Sequence, residues 1–169
     1  MRADPGRDGL ALLVEGGLEE IARRAGVGSA TLHRHFPTRQ ALLEAVFKDR
    51  VETLCTRAGN LLDEPDPGQA LATWLHAVGA HAVGNRVLGA SLMRDGAPAL
   101  GETCHNMITK AGDALLTRAQ AADTVRPDIT ITQLLKLVGA IAPATEQDAD
   151  GPTEAGLLLA IAINGVHAR

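Results

Sequence analysis

Apolar positions recur with a helical period along nearly the whole chain. Leu18, Ile21, Ala22 and Ala25 fall on one face of a short helix over 18–25, because residues three and four apart stack on the same side. Gly26-Val27-Gly28 interrupts that pattern. A second short helix is predicted over 29–36, with Leu32 and Phe36 four apart, and Pro37 stops it. Thr38 is a good N-cap for a long helix over 39–62, whose stripe is Leu42, Leu43, Val46, Phe47, Val51, Leu54 and Leu61. Glu64-Pro65-Asp66-Pro67-Gly68 is a clear break. Beyond it the spacing predicts helices over 69–83, 98–122, 130–147 and 153–168, with Thr130 or Thr132 capping the third and Pro143 interrupting it. Residues 84–96 look less regular, with one helical turn around 88–93, and 9–14 form a short apolar stretch ended by Gly16-Gly17. Nothing shows sustained two-residue alternation with β-branched enrichment, so the expected fold class is all-α.

Two of these helices are apolar on nearly every side. One carries Leu134, Leu135, Leu137, Val138, Ile141 and Ala142, the other Leu157, Leu158, Leu159, Ile161 and Ile163. A helix apolar all round has to be covered all round. In a chain of 169 residues the economical solution packs one face inside and sets the other against a second copy. That gives a homodimer joined through a four-helix bundle. The expected interface is Leu134, Leu137, Val138, Ile141, Leu158, Leu159 and Ile161; the alternative is a centrally placed core helix.

Composition changes the picture mainly by exclusion. Aromatic residues are 2% of the chain, with no Tyr, which disfavours a stacking platform for single-stranded RNA. Two cysteines, Cys55 and Cys104, cannot build a disulfide framework and fit a reducing compartment. The longest apolar run, 157–163, is far below the ~18 residues of a membrane span, and the first residues lack the apolar core of a signal peptide. A soluble cytoplasmic protein is the expectation.

The formal net charge of −4 does not by itself suggest a nucleic-acid partner, but its distribution does. Residues 1–50 carry 8 basic and 7 acidic side chains, whereas 51–169 carry 8 and 13. Between 21 and 43 stand Arg23, Arg24, Arg34, Arg39, His33 and His35, with no Asp or Glu. An acid-free basic segment can face phosphate even on an anionic chain; the plainer reading is an ordinary solvated face.

The segment 18–36, LEEIARRAGVGSATLHRHF, has the features of a helix-turn-helix. Ala22 is small where two helices cross, and Gly26 follows the first helix where a left-handed residue allows a tight turn. Val27 is an apolar plug for the turn, and Ile21 and Leu32 supply a shared core. Ser29, Ala30 and Thr31 are small residues that let the backbone approach base edges in a major groove, while His33, Arg34 and His35 offer donors to phosphates.

Followed by FPTRQALLEAV, residues 36–46, this segment resembles the TetR (tetracycline-repressor-like) family. The likeness is dense over 18–46; beyond it the chain agrees only in architecture. The resemblance implies a helix-turn-helix head over 1–46, followed by a helical effector-binding and dimerisation domain over 47–169. It further implies a homodimer that binds a double-stranded DNA operator, usually as a repressor, and leaves it when a small-molecule effector binds. Carried over residue by residue, Ser29, Ala30 and Thr31 become base-edge candidates. Glu19 is a weaker one, since a carboxylate repels phosphate. His33 stands where the family usually has Tyr, a departure that leaves a donor but less contact area. His35 matches a common His that packs and touches phosphate, or mainly caps its helix. Arg34 either meets phosphate or is simply solvated. Arg39 matches the basic residue near the DNA backbone at the start of the long helix. A second departure is the stretch before the motif, 9–17, which is shorter than the family's full first helix and loop; it implies either a truncated head or a loop missing from this sequence.

The effector pocket is expected among 69–122, reaching toward 133–143. Trp74, Met93, Met107, His76 and Cys104 lead the candidates, with His81, Asn85 and His105 beside them, and a mostly apolar ligand suits them. Plain core packing is the competing role for Trp74 and the methionines. His76 and His81 are five apart and Cys104-His105 are adjacent, so neither pair shares a helix face as metal ligands or a catalytic couple would. No nucleotide motif accompanies them; no metal, cofactor or enzymatic activity is expected. The rival reading is a helical ligand- or partner-binding dimer whose reduced head no longer binds DNA.

Overall fold

The computed structural model describes residues 16–94, 98–145 and 150–166. They form seven α-helices and no β-strand: α1 (Leu18–Ala25), α2 (Ser29–His35), α3 (Arg39–Leu61), α4 (Pro67–Arg94), α5 (Pro98–Ala121), α6 (Ile131–Ala144) and α7 (Gly151–Val166). The apolar stretch expected at 9–14 lies outside the described residues.

Local chemistry accounts for most of the helix ends. Gly26 takes φ 69 after α1, and its N–H returns to the carbonyls of Ala22 and Arg23. Thr38 caps α3, its Oγ1 accepting from the Ala41 N–H at 3.1 Å. Asp66 does the same for α4, accepting from the Gln69 N–H at 3.0 Å, and Pro67 fits the first turn. Thr130, rather than Thr132, caps α6 in a reciprocal box with Gln133.

One element departs clearly from the spacing. α4 runs unbroken for 28 residues, through the stretch expected to be irregular after 83. Gly84 and Gly89 lower its intrinsic helicity, but tertiary contacts outweigh them. Leu88 is fully buried, Arg50 donates to the buried Asn85 side chain, and Gly89 faces Phe47.

The chain forms two compact units that do not follow chain order. The first takes the described residues up to Arg50 and those of Gly84–Thr103. Leu18, Ile21 and Leu42 form one of its small cores, with Leu32, Phe36 and Val46 against them. Leu43 and Leu88 form the other, with Phe47 and Leu100.

The second unit takes Val51–Val83 and the described residues from Cys104 onward. Its core surrounds Trp74 and includes Leu71, Leu75, Leu115, Leu134, Val138 and Leu159. Each such fully buried aliphatic side chain contributes about 1.5–3 kcal/mol before conformational entropy is counted. The Trp74 indole N–H donates to the Leu54 carbonyl at 3.0 Å, so the one polar atom of the ring is satisfied.

α6 and α7 each divide into two apolar faces. Leu134 and Val138 on α6, and Leu159 and Ile163 on α7, enter the core. Ile141 is half-buried against it. Leu137, Leu157, Leu158 and Ile161 stay exposed, Ile161 by 69%. Of the seven residues expected at a dimer interface, three therefore lie inside the protomer's own core, and Leu137, Leu158 and Ile161 lie outside it.

Candidate nucleic-acid interface

The first unit presents a helix-turn-helix built from its shortest elements. Leu18 and Ile21 on α1 meet Leu42 on α3, with Leu32 and Phe36 closing the cluster from the α2 side. Ala22 is buried at the crossing, where its methyl group allows close approach. The turn is tightened by the Val27 N–H, which donates to the Ala22 carbonyl at 3.0 Å. The Val27 side chain does not plug the turn as expected; it is 45% exposed. The left-handed Gly26 carries the chain outward there, and Leu32 and Phe36 supply the packing instead.

None of the seven residues of α2 is buried. Ser29, Ala30 and Thr31 open the helix as small, exposed side chains, and His33, Arg34 and His35 follow in its exposed last turn. Arg39 is half-buried at the start of α3. Among the described residues, no side-chain hydrogen bond engages Arg34, His35 or Arg39, so these three hold the uncommitted cationic or donor groups of the segment.

The other basic groups are committed. Glu20 holds Arg23 in a two-pronged pair, at 2.6 and 2.9 Å, and takes a third bond from Arg24 at 3.0 Å. Arg23 first, then Arg24, keeps the Glu20 carboxyl below the usual carboxylate range. The acid-free run from 21 to 43 is thus partly neutralised in space by a carboxylate just outside it. The three- and four-residue spacing of Glu20 to Arg23 and Arg24 is the sequence signal for this pairing.

Glu19 makes the longer-range contact. Its Oε1 lies 3.1 Å from His33 Nε2, joining the first turn of α1 to the last turn of α2. A backbone N–H at its own position in the first turn, and then His33, hold the Glu19 carboxyl below its ordinary value. Fourteen residues separate the two, and no local periodicity marks the pair.

The residues expected to line an effector pocket differ in burial. Trp74 and Cys104 are buried, Met107 and His81 half-buried, and His76 and His105 exposed. Asn85 is buried in the first unit, bonded by Arg50, and the Met93 side chain lies outside the described residues. Among the described residues, no group of three His, Cys, Asp or Glu could hold a metal ion. Nor is any helix of the described residues long and apolar enough to cross a membrane.

Comparison with known proteins agrees with this head. Residues 13–46 match the family model for bacterial regulatory proteins of the tetR family. Residues 66–168 match that of the C-terminal domain of SbtR-like transcriptional regulators. None of the curated proteins is similar enough to match. Among solved structures, a TetR transcriptional regulator from Streptomyces coelicolor is 32% identical, with a TM-score of 0.79 over 96% of this chain and 98% of that one. A TetR transcription regulatory protein from Mycobacterium vanbaalenii is 27% identical, with a TM-score of 0.73 over 96% and 93%. GusR of Salmonella enterica, 19% identical with a TM-score of 0.67 over 94% and 90%, shares the fold. With one model of this group matched over 13–46, another over 66–168, and identity to a member sustained along nearly the full length, the protein belongs to the TetR family of transcriptional regulators.

Proposed function

We propose that the protein acts in the cytoplasm as a homodimeric repressor that binds a roughly palindromic DNA operator and is released by a small, largely apolar effector. The observation that carries this reading is α2, which exposes Ser29, Ala30 and Thr31 while burying none of its residues. Side chains that small let the helix backbone enter a major groove and approach base edges. Arg34, His35 and Arg39 supply phosphate contacts around it, which fix register without reading sequence. The head comprises 1–46, and 47–169 bind the effector and the second copy.

The open faces of α6 and α7 support the dimer. Leu137, Leu157, Leu158 and Ile161 pack against the same residues of a second chain across a two-fold axis. Two heads so joined meet successive major grooves about 34 Å apart. An effector shifts operator affinity only through its differential affinity for the bound and released conformations. Trp74, Met107 and Cys104 are the pocket candidates with the chemistry for an apolar ligand.

A gel shift with the duplex immediately upstream of the protein's own gene tests the reading, with and without candidate apolar ligands. Retarded duplex that is freed by a ligand is the expected result. A chain that dimerises and binds ligand but shifts no duplex would leave a ligand-binding dimer and no regulator.

A further inference from the structure

The contact between Glu19 and His33 gives the head a chemistry that its basic composition does not suggest. An ionised carboxylate can only accept hydrogen bonds. The 3.1 Å approach of His33 Nε2 to Glu19 Oε1 therefore places the imidazole proton on Nε2. That leaves Nδ1 as the second ring nitrogen. In the neutral ring Nδ1 carries a lone pair and can offer a phosphate oxygen nothing but repulsion. Once protonated, it becomes an N–H donor, and the imidazolium cancels the charge of Glu19 beside it.

Resting on the reading of α2 as the DNA-contacting helix, we propose that Glu19 and His33 form a proton-gated phosphate contact, closed to DNA while His33 is neutral and open once Nδ1 takes up a proton. The position of the pair supports this. His33 lies four residues after Ser29, on the same side of α2, and both partners are exposed. The surrounding charges are accounted for. On α1, Glu20 is held by Arg23 and Arg24 and leaves Glu19 as the carboxylate at the ring. Arg34 and His35 flank His33 on α2, and Arg39 opens α3 beyond Pro37. Glu19 stays ionised through the range in which histidines titrate, because its own carboxyl is held low. The charge of the pair therefore moves from zero to −1 as the proton leaves, and affinity for a polyanion falls as pH rises.

The test measures dissociation constants for a duplex from upstream of the protein's own gene, and for a scrambled duplex, at pH 5.5 and pH 8.0 and constant salt. The wild-type chain should bind both duplexes about five- to tenfold more tightly at pH 5.5, since the term is one of phosphate contact and is doubled in a dimer. His33→Gln keeps a donor toward Glu19 but gains no charge; it should lose most of the wild-type ratio between the two pH values. Glu19→Gln should bind several-fold more tightly than the wild type at pH 8.0. His105→Gln, at an exposed histidine of α5 outside the head, should keep the wild-type ratio. A His33→Gln chain that retains the full pH ratio overturns the gate, as does a Glu19→Gln chain that binds more weakly at pH 8.0. A wild-type chain that holds neither duplex at either pH defeats the DNA reading itself.

Discussion

The Trp74 indole occupies the space that a side chain at Gly112 would need. A Cβ there would stand 2.5 Å from Trp74 Cζ3 and 2.7 Å from Ile131 Cδ1, closer than real carbon atoms approach. The ring is fully buried and tied to the Leu54 carbonyl, so it has little freedom to retreat. Gly112→Ala would gain about 1 kcal/mol of helix propensity in α5 but overpack the core. Overpacking should win, with a net loss of about 2 kcal/mol, read as a lower urea midpoint by circular dichroism. An unchanged midpoint would show that the indole can move aside.

Thr38 joins the head to the long helix by capping α3. Removing its hydroxyl leaves the Ala41 N–H to water. Thr38→Ala should cost about 1 kcal/mol, and Thr38→Ser should recover most of it. Hydrogen exchange checks the location, because faster exchange should be confined to the first turn of α3 and its neighbours in the head.

Thr31 and Arg39 should fail in different ways if α2 enters the groove. Thr31→Ala should cost about 1–3 kcal/mol on the operator and blur discrimination between related sequences. Arg39→Ala should weaken all duplexes alike and lower the slope of log affinity against log salt by about one. Titrations at several salt concentrations separate the two, and equal effects on specific and scrambled duplex in both variants would remove Thr31 from the base-reading set.

Ile161 is the most exposed of the large apolar residues on α6 and α7. Ile161→Lys should leave the protomer folded, since the side chain is outside the core, but place two like charges at a two-fold contact. Light scattering after gel filtration should then report a monomer with an unchanged helical spectrum. A dimer that survives both Ile161→Lys and Leu157→Lys would locate the interface elsewhere.

What the sequence made legible was local. α1 and α2 stand within one residue of where apolar spacing put them, because Gly26 and Pro37 punctuate the chain through backbone geometry alone. Thr38 and Thr130 cap as their types suggest. The continuity of α4 was hidden, since Gly84 and Gly89 look like breaks until Arg50, Phe47 and Leu43 are brought against that stretch. For the same reason nothing in the sequence marks the fit of Trp74 over Gly112 or the contact of Glu19 with His33: each joins residues far apart in the chain. The basic run is legible as composition, but its net charge in space is not, because Glu20 lies one turn away along the same helix and takes up two of the arginines.

The chain has one tryptophan and no tyrosine, and that tryptophan is the ring sealed beneath the Leu54 carbonyl. Its emission is therefore an optical reporter free of background from other strong fluorophores, positioned where α3 and α4 are stitched together in the second unit. A ring so buried is expected to emit with a blue-shifted spectrum. Any ligand that loosens this stitch will redden the spectrum, so effector candidates can be screened on the unlabelled, native protein.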